Sequence, residues 1–205
     1  AQSTLESQMQ GPLYSPLEMG NNPANLLSTL NHNSAYRKLF TQAFGQSDIT
    51  LANVYTAITA FESSLISLNS RYDLYAHGYH AALTEDEKAG LNVFRSFVAR
   101  CAECHTPPLF TNQQLAVIGV ADAPNMMIDP GAQAVTGDES QRGAFRVPSL
   151  RNVVRTAPYM HRGQKATLAD AARFYTGGRG HEVPEGDALM IHWHIWEPNL
   201  SDAEL

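Results

Sequence analysis

The most regular pattern in the chain is helical. Leu51, Val54, Tyr55, Ile58, Phe61 and Leu65 recur at the spacing of one helix face, inside a stretch over 23–69 that reads as helical. Asp48 or Thr50 is placed to cap the start of that helix, and shorter apolar-periodic pieces cover 25–30 and 35–44. Thr84-Glu85-Asp86-Glu87 matches the capping box, in which a Thr oxygen and a Glu carboxylate each satisfy a free backbone amide. It predicts a helix running to about Ala99, which leads the chain directly into Cys101. Over 106–148 the periodicity breaks up under Pro, Gly, Asn and Asp, predicting a long irregular loop with one short strand at 115–120. Loops of that length usually carry function or wrap a ligand. Thr167 starts a last helix that ends at Gly177-Gly178, where glycine accepts the left-handed conformation of a helix C-terminus. The fold class predicted is mainly α.

Composition narrows the function classes. The 205 residues suffice for one sizeable core or two small ones. A hydrophobic fraction of 43% and a charged fraction of 17% are those of a globular protein. The net charge of −6 argues against nucleic acid and anionic membrane surfaces, both of which call for basic patches. No apolar run approaches the ~20 residues of a membrane span. The opening Ala1-Gln2-Ser3-Thr4 has neither the basic nor the apolar region of a signal peptide, so the sequence reads as a mature or cut chain.

The 2 cysteines stand in Cys101-Ala102-Glu103-Cys104-His105. Their spacing rarely makes a structural disulfide and offers too few ligands for zinc. With the histidine it is the C-x-x-C-H signature of covalent haem attachment. Two thiols add across the two vinyl groups on one porphyrin edge, and the next imidazole is then delivered to the iron. Covalent c-type haem is assembled outside the bacterial cytoplasm, which points to the periplasm.

Around this motif the chain resembles the bacterial di-haem cytochrome c peroxidases and their MauG-type relatives, over about 8–178. The resemblance rests on Gly11-Pro12-Leu13-Tyr14-Ser15-Pro16-Leu17-Glu18-Met19-Gly20, on Ala57-Ile58-Thr59-Ala60-Phe61-Glu62 with Leu65-Ile66-Ser67, and on Cys101 to His105 followed by Phe110-Thr111. Its two most specific blocks are Phe145-Arg146-Val147-Pro148-Ser149-Leu150-Arg151-Asn152-Val153 and Thr156-Ala157-Pro158-Tyr159-Met160-His161-Arg162-Gly163. It implies two c-type cytochrome-like helical domains. Residues 1–75 would be the remainder of an N-terminal peroxidatic haem domain, whose attachment motif lies upstream of Ala1. Residues 76–205 would be a C-terminal c-type haem domain, with Leu200 to Leu205 the start of a final helix.

The resemblance also implies roles. His105 is the proximal iron ligand and Tyr175 stands at the distal position, where ordinary peroxidases carry methionine and MauG-like enzymes tyrosine; Met160 and Met190 remain competing candidates. In the helix started by Thr167, Leu168, Ala171 or Ala172 and Tyr175 share one face. Axial ligands are the main lever on haem potential, and a tyrosine oxygen favours ferric and higher-valent iron. Glu18 is the catalytic acid-base of the peroxide pocket, its pKa raised by burial against haem, and Gln8 and Pro12 line the same pocket. Backbone carbonyls of Thr156 and Pro158 match a calcium site, calcium being an oxygen-seeking cation. One of Arg146, Arg151 and Arg155 pairs with a haem propionate.

The activity implied is a MauG-like, di-haem, peroxide-dependent oxidoreductase. Its partners are hydrogen peroxide and a redox partner protein or protein substrate. The alternatives are an ordinary cytochrome c peroxidase fed by a small cytochrome, or a mono-haem electron carrier. Ala99 occupies the position at which MauG has a substrate-facing tryptophan, which counts against MauG's own substrate. His181, His192 and His194 gather near Trp193 and Trp196. Read as a strand, 192–194 puts two imidazoles on one side, a candidate metal pair, and the two tryptophans are candidate electron relays.

Overall fold

Side-chain caps set most of the helix starts. Thr4 accepts from the amide of Ser7 (3.1 Å) and opens α1 (Leu5–Gln8), which is followed by α2 (Gln10–Tyr14). Asn22 caps α3 (Pro23–His32), with proline at its first turn where no amide is needed. Asn33 caps α4 (Ser34–Phe44), which ends at Gly45 in the left-handed region, φ 71°. Thr50, rather than Asp48, caps α5 (Leu51–Ser64) in a reciprocal box with Asn53. The computed structural model describes residues 2–122, 126–127, 129–198 and 200–205, and these helices form the first of its two compact units, Ala1–Leu68. Its buried apolar residues are Met9, Leu13, Ile49 and Val54. The Asn31 side chain fixes α3 to the segment before α5 by bonding both the amide (3.0 Å) and the carbonyl (3.1 Å) of Ile49.

The second unit, Asn69–Leu205, begins earlier than residue 76. Ser70 caps α6 (Arg71–Ala76), and the carboxylate of Asp73 on that helix grips the guanidinium of Arg151 at 2.6 and 3.0 Å. This pair ties α6 to the second unit. A 3-10 turn at His80–Ala82 leads to α7 (Glu85–Arg95), capped as expected by Thr84 and Glu87. The helix stops four residues before Ala99. The Ser96 hydroxyl accepts the Ala99 amide (3.0 Å), a local turn that competes with further helix. Next come α8 (Cys101–Cys104), β1 (Leu115–Val117), α9 (Gln133–Thr136), β2 (Ala144–Arg146) and α10 (Leu168–Phe174). The strands pair antiparallel, with Ala116 opposite Phe145. β1 falls short of the expected 115–120 because Gly119 turns the chain at φ 74°, where a Cβ would sit 2.5 Å from Ile191 Cδ1. Val117, Ala144, Val147, Ala171 and Phe174 are the buried apolar residues of this unit. The architecture is mainly α with little sheet, and among the described residues no helix is long and apolar enough to cross a membrane.

The Asp73–Arg151 pair gives a stability prediction. Both side chains are nearly buried, 10% and 11% exposed, and the Arg151 bonds hold the Asp73 carboxyl well below the usual carboxylate range. A carboxyl depressed in the folded state stabilises above its unfolded pKa of about 3.9, and that contribution disappears as pH falls through the folded value. Asp73→Ala leaves a guanidinium without its counter-charge and is expected to cost about 3 kcal/mol at pH 7. Thermal melts from pH 7 to pH 2 check this: the gap between wild type and variant should be constant above about pH 5 and narrow steadily below about pH 4.

Candidate functional site

The haem-attachment motif is a single helical turn with a fixed imidazole at its end. Arg100, in the left-handed region at φ 55°, ends the turn after α7 and starts α8. Cys101 and Cys104 are free and half-buried, three residues apart and hence on one helix face. Burial pushes both thiols up, so they are protonated in the haem-free chain. The His105 amide closes the turn on the Cys101 carbonyl (2.9 Å). His105 Nδ1 lies 3.2 Å from the carbonyl oxygen of Phe110 and 3.2 Å from that of Pro148. Both are acceptors, so Nδ1 carries the proton and Nε2 keeps its lone pair. Burial is the largest influence on this imidazole and keeps it neutral, against the two carbonyls. The two segments that carry those carbonyls are tied to each other, because Thr111 Oγ1 donates to Val147 O (2.6 Å) and Ser149 Oγ to Leu109 O (2.5 Å).

Tyr175 belongs to the same constellation. It caps the C-terminus of α10, with its ring edge-on to Phe174 at 5.1 Å. Its phenol is pushed up to about 12, first by burial and then by the thiols of Cys101 and Cys104, so it lies within electrostatic reach of both. The face predicted for α10 is only partly the observed one: Ala171 and Phe174 are buried and Leu168 is exposed. Met190 is exposed, while Met160 sits in a tight turn at φ 71°. Two thiols on one face, a neutral imidazole with Nε2 free and a half-buried phenol are a donor set that suits a covalently attached, axially ligated haem.

In the first unit, Gln8 is the last residue of α1 and exposed, and Pro12 is half-buried within α2. The segment after α2 folds back on it, with Glu18 N bonded to Ser15 O (3.0 Å), Met19 N to Pro12 O (3.1 Å) and Asn21 N to Leu13 O (3.0 Å). This places Glu18 in a turn held against Pro12. The burial expected for its carboxylate is not found within this chain, where Glu18 is exposed. Beside it the sequence reading missed Tyr14, whose hydroxyl lies 2.7 Å from that of Tyr55. Burial and this neighbour push the Tyr14 phenol up to about 12.

Of the three arginines expected to offer a propionate partner, Arg151 bonds Asp73 through its guanidinium and Pro108 O through Nε at 2.8 Å. Arg146 is exposed on β2, its Nη1 3.5 Å from Gln113 Oε1, and Arg155 is exposed in a 3-10 turn at Val153–Arg155. Thr156 and Pro158 flank a cis peptide bond between Ala157 and Pro158 and are exposed. The strand expected at 192–194 is also corrected. These residues form a turn, yet the imidazoles still come together, with ring centroids 5.0 Å apart. One donor atom each from His192, His194 and Cys104 lies within 4.8 Å of the others, a cluster the sequence reading missed because Cys104 is remote in sequence. Trp196 is bound elsewhere: its indole donates to Val98 O (2.9 Å) under the Arg100 guanidinium, 3.3 Å from the ring centroid. A cation there opposes loss of an electron from the indole, which counts against Trp196 as a relay.

The profile of the di-haem cytochrome c peroxidase family matches residues 1–81. The chain is 34% identical over 169 residues to the cytochrome c551 peroxidase of Nitrosomonas europaea, covering 82% of this chain and 50% of that protein. It is 33% identical over 205 residues to the methylamine utilization protein MauG of Methylophilus methylotrophus, covering 99% of this chain and 59% of that protein. Among solved structures, a MauG-like protein associated with microbial copper homeostasis superposes with a TM-score of 0.86 at 33% identity, covering 98% of this chain and 65% of that one. The diheme peroxidase BthA of Burkholderia thailandensis superposes at 0.73 with 26% identity, covering 98% and 60%. The chain thus spans about half to three-fifths of the curated relatives it matches.

Proposed function

Because this chain belongs to the di-haem cytochrome c peroxidase family, we propose that it serves a peroxide-dependent, di-haem oxidoreductase of MauG-like type in the periplasm. The observation that carries this reading is the turn from Cys101 to His105 with His105 Nδ1 held by two carbonyls, and Tyr175 within electrostatic reach of both thiols. A c-type haem held there supplies a centre that stores and passes electrons one at a time. Cys101 and Cys104 fix it by thioether bonds, and their protonated thiols suit addition across vinyl groups. His105 presents Nε2, oriented by the two carbonyls on Nδ1, as metal-bound imidazoles commonly are. Tyr175 would supply a further, oxygen ligand to the iron, giving up its phenolic proton to do so.

Glu18 handles the protons of peroxide at the second haem. With that haem bound, its carboxylate would accept a proton from one peroxide oxygen and hand it to the other. Pro12 and Gln8 shape that pocket, and the two units carry one haem each. The carbonyls of Thr156 and Pro158 are oxygen donors suited to calcium. One of Arg146, Arg151 and Arg155 would pair with a propionate.

An ordinary cytochrome c peroxidase is the second reading, favoured by the 34% identity to the Nitrosomonas europaea enzyme. Turnover with a reduced small cytochrome separates the two, being fast for an ordinary peroxidase and slow for the Tyr-ligated enzyme. The attachment itself is tested by Cys104→Ala in protein made by a host that matures c-type cytochromes. Wild type is expected to keep haem on a denaturing gel and the variant to lose most of it. Equal retention contradicts the assignment.

A further inference from the structure

The two imidazoles beside Cys104 are held by the loop's own bonding. Arg179 reaches three carbonyls of this loop, with Nη1 on His192 O and Ile195 O at 3.3 Å each and Nη2 on Ile191 O. The His192 amide is fixed to Val117 O at the end of β1 (2.9 Å), and the Ile195 amide closes the turn on His192 O (2.9 Å). Inside the turn the His194 amide approaches His192 Nδ1 at 3.3 Å, a long contact that gives way when Nδ1 takes the ring proton and Nε2 keeps its lone pair for an outside partner. His194 Nδ1 is buried and has no hydrogen-bond partner among the described residues. A buried acceptor left unpaired is costly unless something binds it. One ring nitrogen each of His192 and His194 stands with Cys104 Sγ in a set whose donor atoms all lie within 4.8 Å of one another.

We propose that His192, His194 and the sulfur of Cys104 bind a single cuprous ion beside the haem-attachment site. The choice of ion follows from the donors and rests on the reading of Cys104 as a haem thioether. A thioether is soft and uncharged, and with two imidazoles it suits copper(I). Zinc sites are built from thiolate, imidazole and carboxylate, and calcium and magnesium sites from oxygen.

The test is an anaerobic copper(I) titration of the haem-loaded protein against a chromophoric copper(I) chelator, with zinc run in parallel. One equivalent of copper withdrawn per chain is expected, with little zinc retained. His192→Ala and His194→Ala should each abolish the withdrawal while leaving the haem spectrum unchanged, which separates loss of the site from loss of the fold. Arg179→Gln, which frees the loop without removing a ligand, should weaken copper about 10–100-fold. No withdrawal by haem-loaded wild type, or equal withdrawal by the double histidine variant, overturns the proposal. A haem stain of the same sample reports the attachment separately. A chain lacking covalent haem that retains zinc overturns both the thioether reading and the cuprous assignment.

Discussion

Glu18→Gln is expected to slow oxidation of the haem-loaded protein by hydrogen peroxide about 10²–10⁴-fold, the range supplied by one positioned acid-base group. The amide matches the carboxylate in size but cannot accept the proton that the inner peroxide oxygen must lose. Local geometry should survive, because backbone bonds hold this turn, Glu18 N to Ser15 O and Met19 N to Pro12 O, rather than the carboxylate. Stopped-flow mixing with peroxide measures the effect. The spectrum of the Tyr175-ligated haem is expected to stay unchanged, and a variant that reacts at the wild-type rate removes Glu18 from the mechanism.

Tyr175→Phe is the second large effect. It keeps the half-buried ring against Phe174 and removes only the oxygen. Iron ligated by His105 then loses its opposite ligand, converting the ferric spectrum from low to high spin. Axial ligands tune haem potentials across about 0.8 V, and losing an anionic oxygen donor should raise the midpoint on the order of 0.1 V or more. The phenol also gives a pH signature. In the haem-free chain, burial and the two thiols push it up to about 12, so tyrosinate absorbance from Tyr175 appears only near that pH. In the haem-loaded protein the iron should draw the proton off at neutral pH. Titration of the two forms, each compared with Tyr175→Phe, separates these cases.

What the sequence made legible followed its local signals. The α5 face, the Thr84 box, the Thr167 start and the five-residue attachment motif depend on neighbours within one or two turns. Asp48 was an equal candidate to cap α5, and only the backbone at Thr50, extended with its oxygen on Asn53 N, decides between them. The early stop of α7 depends on the Ser96 hydroxyl choosing a turn, which periodicity does not register. Long-range partners were invisible. Nothing in the segment around Arg151 names its partner Asp73, 78 residues away. His192 and His194 were grouped correctly by a wrong argument, since a turn braced by Arg179 rather than a strand aligns their rings. The positions of Tyr175 and Glu18 came from resemblance alone. For Tyr175 the structure adds proximity to both thiols, and for Glu18 a turn pinned to Pro12.

The claim on which the rest depends is that one haem is held by Cys101, Cys104 and His105 with Tyr175 opposite. Near-infrared magnetic circular dichroism of the ferric haem-loaded protein tests it most directly. The account predicts low-spin iron with an anionic oxygen ligand that disappears in Tyr175→Phe. A methionine-to-iron charge-transfer band that persists in that variant would contradict it.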